Sequence, residues 1–318
     1  AAATPSAAEL TGQPATVPGA AAGAPPPVTP AVTSAAKFYL VSKNLADPVL
    51  QAEEWQLSVQ GLVQRPLTLR YAQLTALPAT EEYTTFECIS NDVGGDLMST
   101  GLWRGVPLAT LLAQAGADTG QPYVLFGAAD GYTESLPMAE ALKPTTLVAY
   151  ALDGAPLPPA HGFPARMVML GHYGMKQPKW LTRISVSKTQ EGGFWEQQGW
   201  DPQAPVRTTA RIDAPKDGGS APLGPVAFSG VAFAGDRGIS AVQLSFDDGA
   251  SWQDTRLQPA LGAGVWNLWS YAWQPPKAGV YKVQARATDG TGAVQDARGA
   301  DSFPSGASGY HRIAVRVR

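Results

Sequence analysis

The chain contains a single cysteine, Cys88, among its 318 residues. One thiol cannot form an internal disulfide, so the fold has to be stabilised by a hydrophobic core. The sequence is 44% hydrophobic and 15% charged, which is typical of a globular chain, and its length suggests two domains. Three interpretations of Cys88 stay open: a buried inert residue, a nucleophile, or a soft ligand for a metal held mainly by another group.

The charge balance argues against a polyanionic partner. The net charge is −3 and the isoelectric point is about 5.7, so no overall basic field exists to bind nucleic acid or an anionic membrane surface. No run of 18 apolar residues occurs in the sequence either. We therefore expect neither nucleic acid nor the bilayer core to be a partner of this chain.

The first 36 residues are almost wholly Ala, Pro, Thr, Gly and Ser. This composition predicts a disordered or polyproline-like tether over residues 1–36. We expect a signal or membrane anchor to precede it, and hence a periplasmic or other extracytoplasmic location. A cytosolic protein with a dispensable tail is the alternative.

Two further domains are predicted, over residues 37–213 and 214–318. The first mixes strand patterns (54–63 and 167–170) with short helix patterns (71–77 and 108–115, the latter stopped by Gly116). The second has short strand patterns about ten residues apart, separated by Asp- and Gly-rich turns, which is typical of an immunoglobulin-like sandwich. These strands are predicted at 226–233, 239–246, 267–274, 280–287 and 313–317.

Several common chemistries lack their motifs. The sequence has no phosphate-binding P-loop, dinucleotide glycine motif, G-x-S-x-G elbow or H-E-x-x-H helix. His161, His172 and His311 are too scattered for a compact histidine zinc site. A metal would therefore need ligands beyond the side chains.

Three segments of the first domain carry candidate chemistry. Cys88 precedes the turn-forming stretch Val93–Asp96; a bend separates His161 from Arg166; and a glycine-containing loop carries Lys176 and Lys179. Arg166 offers a planar donor fork that suits a phosphate, and the lysine loop can bring charge and backbone N–H groups to the same anion. A core cysteine, a surface ion pair and solvated lysines are the alternatives for each segment taken alone.

Together these segments resemble the sulfite oxidase family of molybdenum enzymes, in the family's order and approximate spacing. The matching stretches are Glu87-Cys88-Ile89-Ser90-Asn91, His161-Gly162-Phe163-Pro164-Ala165-Arg166, and Lys179-Trp180-Leu181 with Lys176 before it. The resemblance implies an α+β protein, in which a mixed α/β molybdopterin domain is followed by an all-β immunoglobulin-like sandwich. It also implies molybdopterin as cofactor, with the Cys88 thiolate as a molybdenum ligand.

The remaining site residues are likewise implied by the resemblance. The residues expected to contact the cofactor or support its loop are Phe38, Tyr39, Lys43, Asn44, Ser90, Asn91, His161, Arg166, Lys176 and Lys179. The pocket is expected to include Asp92, Tyr132, His172, Tyr173 and Trp200.

Two pocket positions depart from sulfite oxidases proper. Asp92 stands where they carry an arginine, and Trp200 where they carry a tyrosine. An acidic residue repels an anionic substrate, and an indole cannot act as a phenolic acid. The expected function is therefore oxygen-atom transfer on an oxyanion, sulfoxide or similar small molecule, with a periplasmic sulfoxide reductase or a non-catalytic envelope module as alternatives.

The expected redox partner is a separate molecule. No C-x-x-C-H haem motif occurs, so electrons are expected to pass through a carrier such as a cytochrome or a membrane redox subunit. The resemblance also leaves open a homodimer formed through the C-terminal domain.

Overall fold

The computed structural model describes residues 28–318. Contacts divide the chain into two units. Among the described residues, the N-terminal unit comprises Ser34–Cys88 and Gly101–Ala204, and the C-terminal unit comprises residues 28–33, Ile89–Thr100 and Pro205–Arg318. The segment that directly follows Cys88 therefore belongs to the C-terminal unit by its contacts, although it lies within the predicted 37–213 domain.

Residues 28–33 differ from the predicted tether, whose first 27 residues lie outside the described part of the chain. Val32 is buried, and the indole N–H of Trp266 donates to the Ala31 carbonyl at 3.0 Å. The Thr33 N–H donates to the Thr100 carbonyl at 2.7 Å. One buried valine and two paired backbone groups are enough to fix this stretch within the C-terminal unit.

The N-terminal unit is built on two sheets. Its strands are β1 (Gln56–Gly61), β2 (Leu67–Arg70), β3 (Thr80–Glu87), β4 (Met98–Pro107), β5 (Tyr123–Ala128), β6 (Thr133–Pro137), β7 (Leu147–Leu152), β8 (Ala155–Pro156), β9 (Arg166–Val168) and β10 (Leu181–Ser187). One sheet has the strand order β2-β1-β10-β5-β6, with β1 and β10 parallel; the other has the order β3-β4-β7-β8, with β9 also pairing with β7. The first three residues of β4 belong to the segment Ile89–Thr100.

Helices are short in the described residues. The three α-helices are α1 (Tyr71–Thr75), α2 (Leu108–Ala115) and α3 (Met138–Ala141), and 3₁₀ turns cover Ala35–Lys37, Pro159–His161, Gly174–Lys176 and Glu196–Gln198. Helix α2 has the predicted bounds, and Gly116 ends it in the left-handed conformation at φ 60°. The α+β expectation is confirmed only in part, because the protein is mostly β with few helices. None of the helices between residues 28 and 318 is long and apolar enough to cross a bilayer.

The C-terminal unit contains two sheets around one core. The strands are β11 (Thr209–Ala214), β12 (Ser220–Ala221), β13 (Val226–Phe233), β14 (Ile239–Ser245), β15 (Gln253–Asp254), β16 (Arg256–Leu257), β17 (Asn267–Trp273), β18 (Gly279–Asp289) and β19 (His311–Val317). Their orders in the two sheets are β11-β13-β17-β16 and β12-β19-β18-β14-β15, and the shared core includes Phe228, Trp269 and Val283. The five predicted strands are present with shifts of at most two residues at their ends.

Gly230 is a packing constraint in this unit that can be tested directly. It lies in β13, where an added Cβ would collide with the Arg211 carbonyl and approach Trp269 to 2.6 Å. Gly230→Ala should destabilise the protein by about 1–3 kcal/mol, because backbone and a buried indole cannot easily move. The control is Gly299→Ala, since an added Cβ there meets nothing within 4 Å. Thermal unfolding should show a clear loss for the first variant only; equal midpoints would contradict the packing assignment.

Candidate functional site

Cys88 lies at the buried end of strand β3. The last five residues of this strand, Tyr83–Glu87, are buried, and Cys88 follows as a half-buried thiol that forms no disulfide. Burial, and next the negative charge of the Cys88 thiolate, raise the pKa of Tyr39 well above its usual value. Burial and several acidic groups, Cys88 among them, do the same for Tyr132. Both phenols therefore keep their protons at neutral pH.

Tyr39 approaches the loop that follows strand β9. An added Cβ at Gly174 would lie only 2.7 Å from the Tyr39 hydroxyl and 3.5 Å from the Glu87 carbonyl. Glycine at this position thus allows the 174–176 turn to pass directly beside the end of β3. Tyr173, at the start of this loop, is buried, and its N–H donates to the Ala204 carbonyl at 3.0 Å.

Arg166 is a buried cation at the start of β9. Its guanidinium donates to the carbonyls of His161 (3.1 Å), Gln177 (3.2 Å) and Met167 (3.3 Å). It also lies over the rings of Phe86 and Trp103, at 4.8 and 5.1 Å from their centroids. Burial lowers its pKa to about 10, so the group stays charged at pH 7.

Phe38 completes the aromatic surroundings of this cation. Its ring makes edge contacts with Phe86, Trp103 and His161 at centroid distances of 5.7, 5.5 and 5.5 Å. The aromatic faces and three carbonyls hold the guanidinium without neutralising its charge.

Lys179 adds a second cation beside Arg166. Its ammonium donates to the carbonyls of Ala160 (3.1 Å) and Val41 (3.3 Å). Burial first, and repulsion by Arg166 second, lower its pKa to about 8. The two segments approach closely at Gly162, where φ is 105° and an added Cβ would lie 3.0 Å from Lys179 Cα. We call Arg166 and Lys179 the cation clamp.

His161 supports the clamp without adding charge to it. Its Nε2 is 3.1 Å from the Ala35 carbonyl, which requires a proton on that nitrogen. Burial, and next the positive charge of Arg166, lower its pKa to about 4, so the ring is neutral at pH 7. Its contribution in this structure is the carbonyl that accepts from Arg166.

The cation clamp fits an anionic group. Among residues 28–318, no carboxylate lies within ion-pair distance of Arg166 or Lys179. Asp47 and Asp130 offset the repulsion at Lys179 only in part, because its pKa is still lowered, and a bound phosphate would relieve the repulsion between the two cations. The donor set is therefore the chemistry that the phosphate of a pterin cofactor requires.

Lys176 has different partners from those expected. Its ammonium donates to Glu134 (2.5 Å), Glu196 (2.6 Å) and the Pro202 carbonyl (3.0 Å), and its side chain is almost fully buried. All three ammonium protons are thus engaged within the N-terminal unit. In this structure Lys176 forms an acid–base cluster with Glu134 and Glu196, and its expected contact with the cofactor stays a prediction.

The acidic members of this cluster were missed by sequence reasoning. Burial raises the pKa of Glu134 to about 8, with Lys176 opposing the shift. Glu134 stands two residues before the buried Leu136 in β6, so strand alternation could have flagged it as an inward acid. Glu196 lies in a 3₁₀ turn and gives no comparable signal.

Lys43 and Asn44 are tied to the turn between β5 and β6. The Lys43 ammonium donates to the Asp130 carbonyl at 2.8 Å, and the Asn44 amide donates to the Asp130 carboxylate at 3.0 Å. Lys43 also lies 5.0 Å from the centroid of the Phe194 ring. The expected cofactor contacts of these two residues stay a prediction, because the contacts described here are with the protein's own Asp130 and Phe194.

The other expected pocket residues of this unit have protein partners as well. The Nδ1 atom of His172 is 3.0 Å from the Gln203 carbonyl, and its Nε2 is 3.6 Å from a Glu140 oxygen. Trp200 is half-buried, and its backbone N–H donates to the Trp195 carbonyl at 3.1 Å. These contacts fix the His172 side chain and the Trp200 main chain, and substrate contacts of both residues stay predictions.

Three expected site residues follow Cys88 and belong to the C-terminal unit. Asn91 is buried, and its side-chain oxygen accepts from the Leu97 N–H at 3.0 Å. Asp92 is exposed, and its carbonyl accepts from the Gly95 N–H at 2.8 Å. Ser90 is half-buried. Asn91 thus closes this loop, whereas contacts of Ser90 and Asp92 with a cofactor or substrate stay predictions.

No cluster of three His, Cys, Asp or Glu side chains suited to a metal ion occurs between residues 28 and 318. A metal at Cys88 would therefore be held mainly by a cofactor.

The chain is similar to known proteins in both sequence and structure. Residues 44–195 match the family model for the oxidoreductase molybdopterin binding domain, which brings Cys88 and both clamp residues into one matched region. An uncharacterized oxidoreductase of Bacillus subtilis, YuiH, is 36% identical over 147 residues, covering 46% of this chain and 72% of that protein.

Rat mitochondrial sulfite oxidase is 28% identical, and the match covers 92% of this chain but only 63% of the rat protein. Among solved structures, the sulfane dehydrogenase SoxCD of Paracoccus pantotrophus superposes with a TM-score of 0.79 at 22% identity, over 90% of this chain and 81% of that one. This likeness shows a shared fold. The expected molybdopterin cofactor and oxidoreductase class are confirmed, and the alternative of a non-catalytic module is not retained. The chain belongs to the sulfite oxidase family of molybdopterin-dependent oxidoreductases.

Proposed function

We propose that this protein catalyses oxygen-atom transfer at a molybdenum centre to which Cys88 contributes the protein thiolate. The observation that carries the proposal is the cation clamp, which lacks a carboxylate partner in the described residues and lies in the same unit as the half-buried Cys88. A thiolate is a soft ligand suited to a metal that is otherwise held by dithiolene sulfurs.

The residues present fit molybdopterin in distinct roles. Arg166 and Lys179 would hold its phosphate, His161 would keep Arg166 oriented, and Cys88 would ligate the metal. The bound cofactor supplies a redox-active metal that exchanges an oxygen atom with the substrate. The protein supplies the anion site, the thiolate and the exclusion of water by the surrounding aromatic rings.

Charge near Cys88 favours a substrate of low net charge. The Lys176 ammonium is engaged by Glu134 and Glu196, and burial, both of these acids and Cys88 raise the pKa of Tyr132. Tyr39 and Tyr132, whose pKa values are raised by burial and by the charge of Cys88, keep their protons. A neutral sulfoxide is compatible with this environment, whereas sulfite would meet acidic groups while the cation clamp is occupied by the cofactor phosphate. We therefore propose sulfoxide reduction as the favoured direction, with sulfite oxidation as the competing function.

The reaction balance requires an electron donor. Reducing a sulfoxide to a thioether breaks the S–O bond, consumes two electrons and two protons, and releases the oxygen as water. The proposed donor is a separate carrier, such as a cytochrome or a membrane redox subunit. As parts of the same proposal, the protein works outside the cytoplasm, and the two sheets of the C-terminal unit form an immunoglobulin-like sandwich that can mediate dimerisation.

Cys88→Ser tests the thiolate role. In protein made in a cofactor-competent host, this variant should retain pterin near the wild-type amount, because the cation clamp is unchanged, yet lose turnover by a factor of at least about 100. Pterin fluorescence, metal analysis and sulfur counting by X-ray absorption measure the outcome. A fully active variant would contradict the proposal.

Lys179 predicts a pH dependence of cofactor retention. With a pKa lowered to about 8, its ammonium holds the phosphate below that pH and loses its proton as pH rises through it. Binding the anion itself raises this pKa, so retention after dialysis should be full at pH 7 and fall only gradually up to pH 9 and above. Lys179→Arg should remove the fall, because arginine stays charged throughout this range. Arg183→Lys on strand β10 is the control and should behave like wild type.

A substrate panel decides between the two directions. Sulfite with an artificial electron acceptor, and methyl sulfoxides with a reduced viologen donor, should be compared at equal molybdenum content. The electrostatic argument predicts that the sulfoxides are turned over with the larger kcat/KM. Faster sulfite turnover would overturn the substrate proposal while leaving the cofactor assignment intact.

A further inference from the structure

We infer that Arg211 and His311 are positioning residues for the segment that carries the chain away from Cys88. Both lie in the C-terminal unit, as does the segment Ile89–Thr100 itself. The contacts concern Gly94 and Gly95, six and seven residues beyond the cysteine.

Arg211 holds the segment through a backbone bond. Its Nη1 donates to the Gly95 carbonyl at 2.8 Å, while its Nε donates to the Asp213 carboxylate at 2.6 Å. Asp213 in turn accepts from the Thr29 hydroxyl at 2.5 Å. Because the guanidinium is fixed on strand β11 by a charged partner, its bond to Gly95 is pre-oriented.

His311 forms the surface against which Gly94 packs. An added Cβ at Gly94, where φ is 81°, would collide with the His311 imidazole, so the main chain lies directly on this ring. The Nδ1 atom accepts from the Ile212 N–H at 2.9 Å, which requires that nitrogen to be unprotonated. Burial and the nearby Arg211 lower the His311 pKa, opposed by Asp213 and Asp217, and thus favour the neutral ring that this bond needs.

Hydrogen bonds within the segment also close a loop over residues 91–97, between Cys88 and the contacts with Arg211 and His311. The Asn91 side chain accepts from the Leu97 N–H at 3.0 Å, and the Gly95 N–H donates to the Asp92 carbonyl at 2.8 Å. A displacement at Gly94 or Gly95 is therefore transmitted to Asn91 rather than absorbed by a slack loop. Only two residues separate Asn91 from Cys88.

The consequence for catalysis rests on the proposed function, but the positioning itself does not. If the thiolate is a metal ligand, Arg211 and His311 would act on it through the chain segment 89–100 that they hold. The single cysteine of the sequence makes the positioning measurable without any cofactor, because every thiol label reports on Cys88 alone.

The experiment measures the alkylation rate of Cys88 by a maleimide in cofactor-free protein, under native conditions. Arg211→Met removes the bond to Gly95 and should raise the rate about fivefold, as expected for the loss of one hydrogen bond. The matched control is Arg237→Met in the same unit, which also removes an aspartate ion pair (Asp289, 2.9 Å) and a bond to a backbone carbonyl (Val206, 3.1 Å) but does not touch the 89–100 segment.

The alkylation rates of Arg211→Met and Arg237→Met are compared at temperatures equally far below their unfolding midpoints. A rate raised in Arg211→Met and unchanged in Arg237→Met supports positioning, whereas equal rates in the two variants overturn it. Arg211→Lys is the second variant, should the methionine variant not fold. It keeps a charge beside Asp213 but is too short to reach both partners, and it should raise the rate as well. A wild-type rate in Arg211→Lys would count against the inference.

Failure of this test is distinguishable from failure of the proposed function. Cys88→Ser reports on metal ligation, whereas alkylation of the cofactor-free thiol reports only on how firmly the segment is held. In loaded Arg211→Lys, a changed molybdenum electron-resonance spectrum at full cofactor content would extend the positioning to the metal centre.

Discussion

Arg166 is buried with no carboxylate partner among residues 28–318, and this is the constraint on which the candidate site depends. Three carbonyls and two aromatic faces hold the guanidinium in place, yet none of them cancels its charge. A second cation, Lys179, lies close enough for the charge of Arg166 to lower its pKa. Such an arrangement is stabilised when an anion binds, and this links the fold of the 159–181 region to cofactor binding.

Two lysines three residues apart in this region have opposite roles. Lys179 donates only to neutral carbonyls and keeps its positive charge available, whereas Lys176 is enclosed by Glu134 and Glu196. The protein thereby concentrates positive potential at the clamp and removes it near the acidic cluster. Under the proposed function, this division would let the clamp hold a phosphate while the substrate side favours neutral molecules.

Local sequence signals predicted some elements and failed for others, for identifiable reasons. Helix α2 was predicted to the residue because its apolar spacing and Gly116 stop signal are local. Strands β3 and β4 were not, since their buried stretches do not alternate. The family motifs led to Cys88 and Arg166, but not to the pairing of Lys176 with Glu134, which is 42 residues away and comes close only in the folded chain. The contacts of Arg211 and His311 with the 89–100 segment likewise join residues more than 100 positions apart, so no local sequence pattern predicts them.

The molybdenum and pterin content of Arg166→Met tests the central claim most directly. Methionine fills much of the same space and can pack between the aromatic rings, but it has no charge and no donor for an anion. With Arg183→Met as the control, purified Arg166→Met should remain folded and contain less than about one tenth of the wild-type cofactor, because the charge-assisted bonds to the phosphate are lost. Wild-type content in a folded Arg166→Met protein would contradict the account.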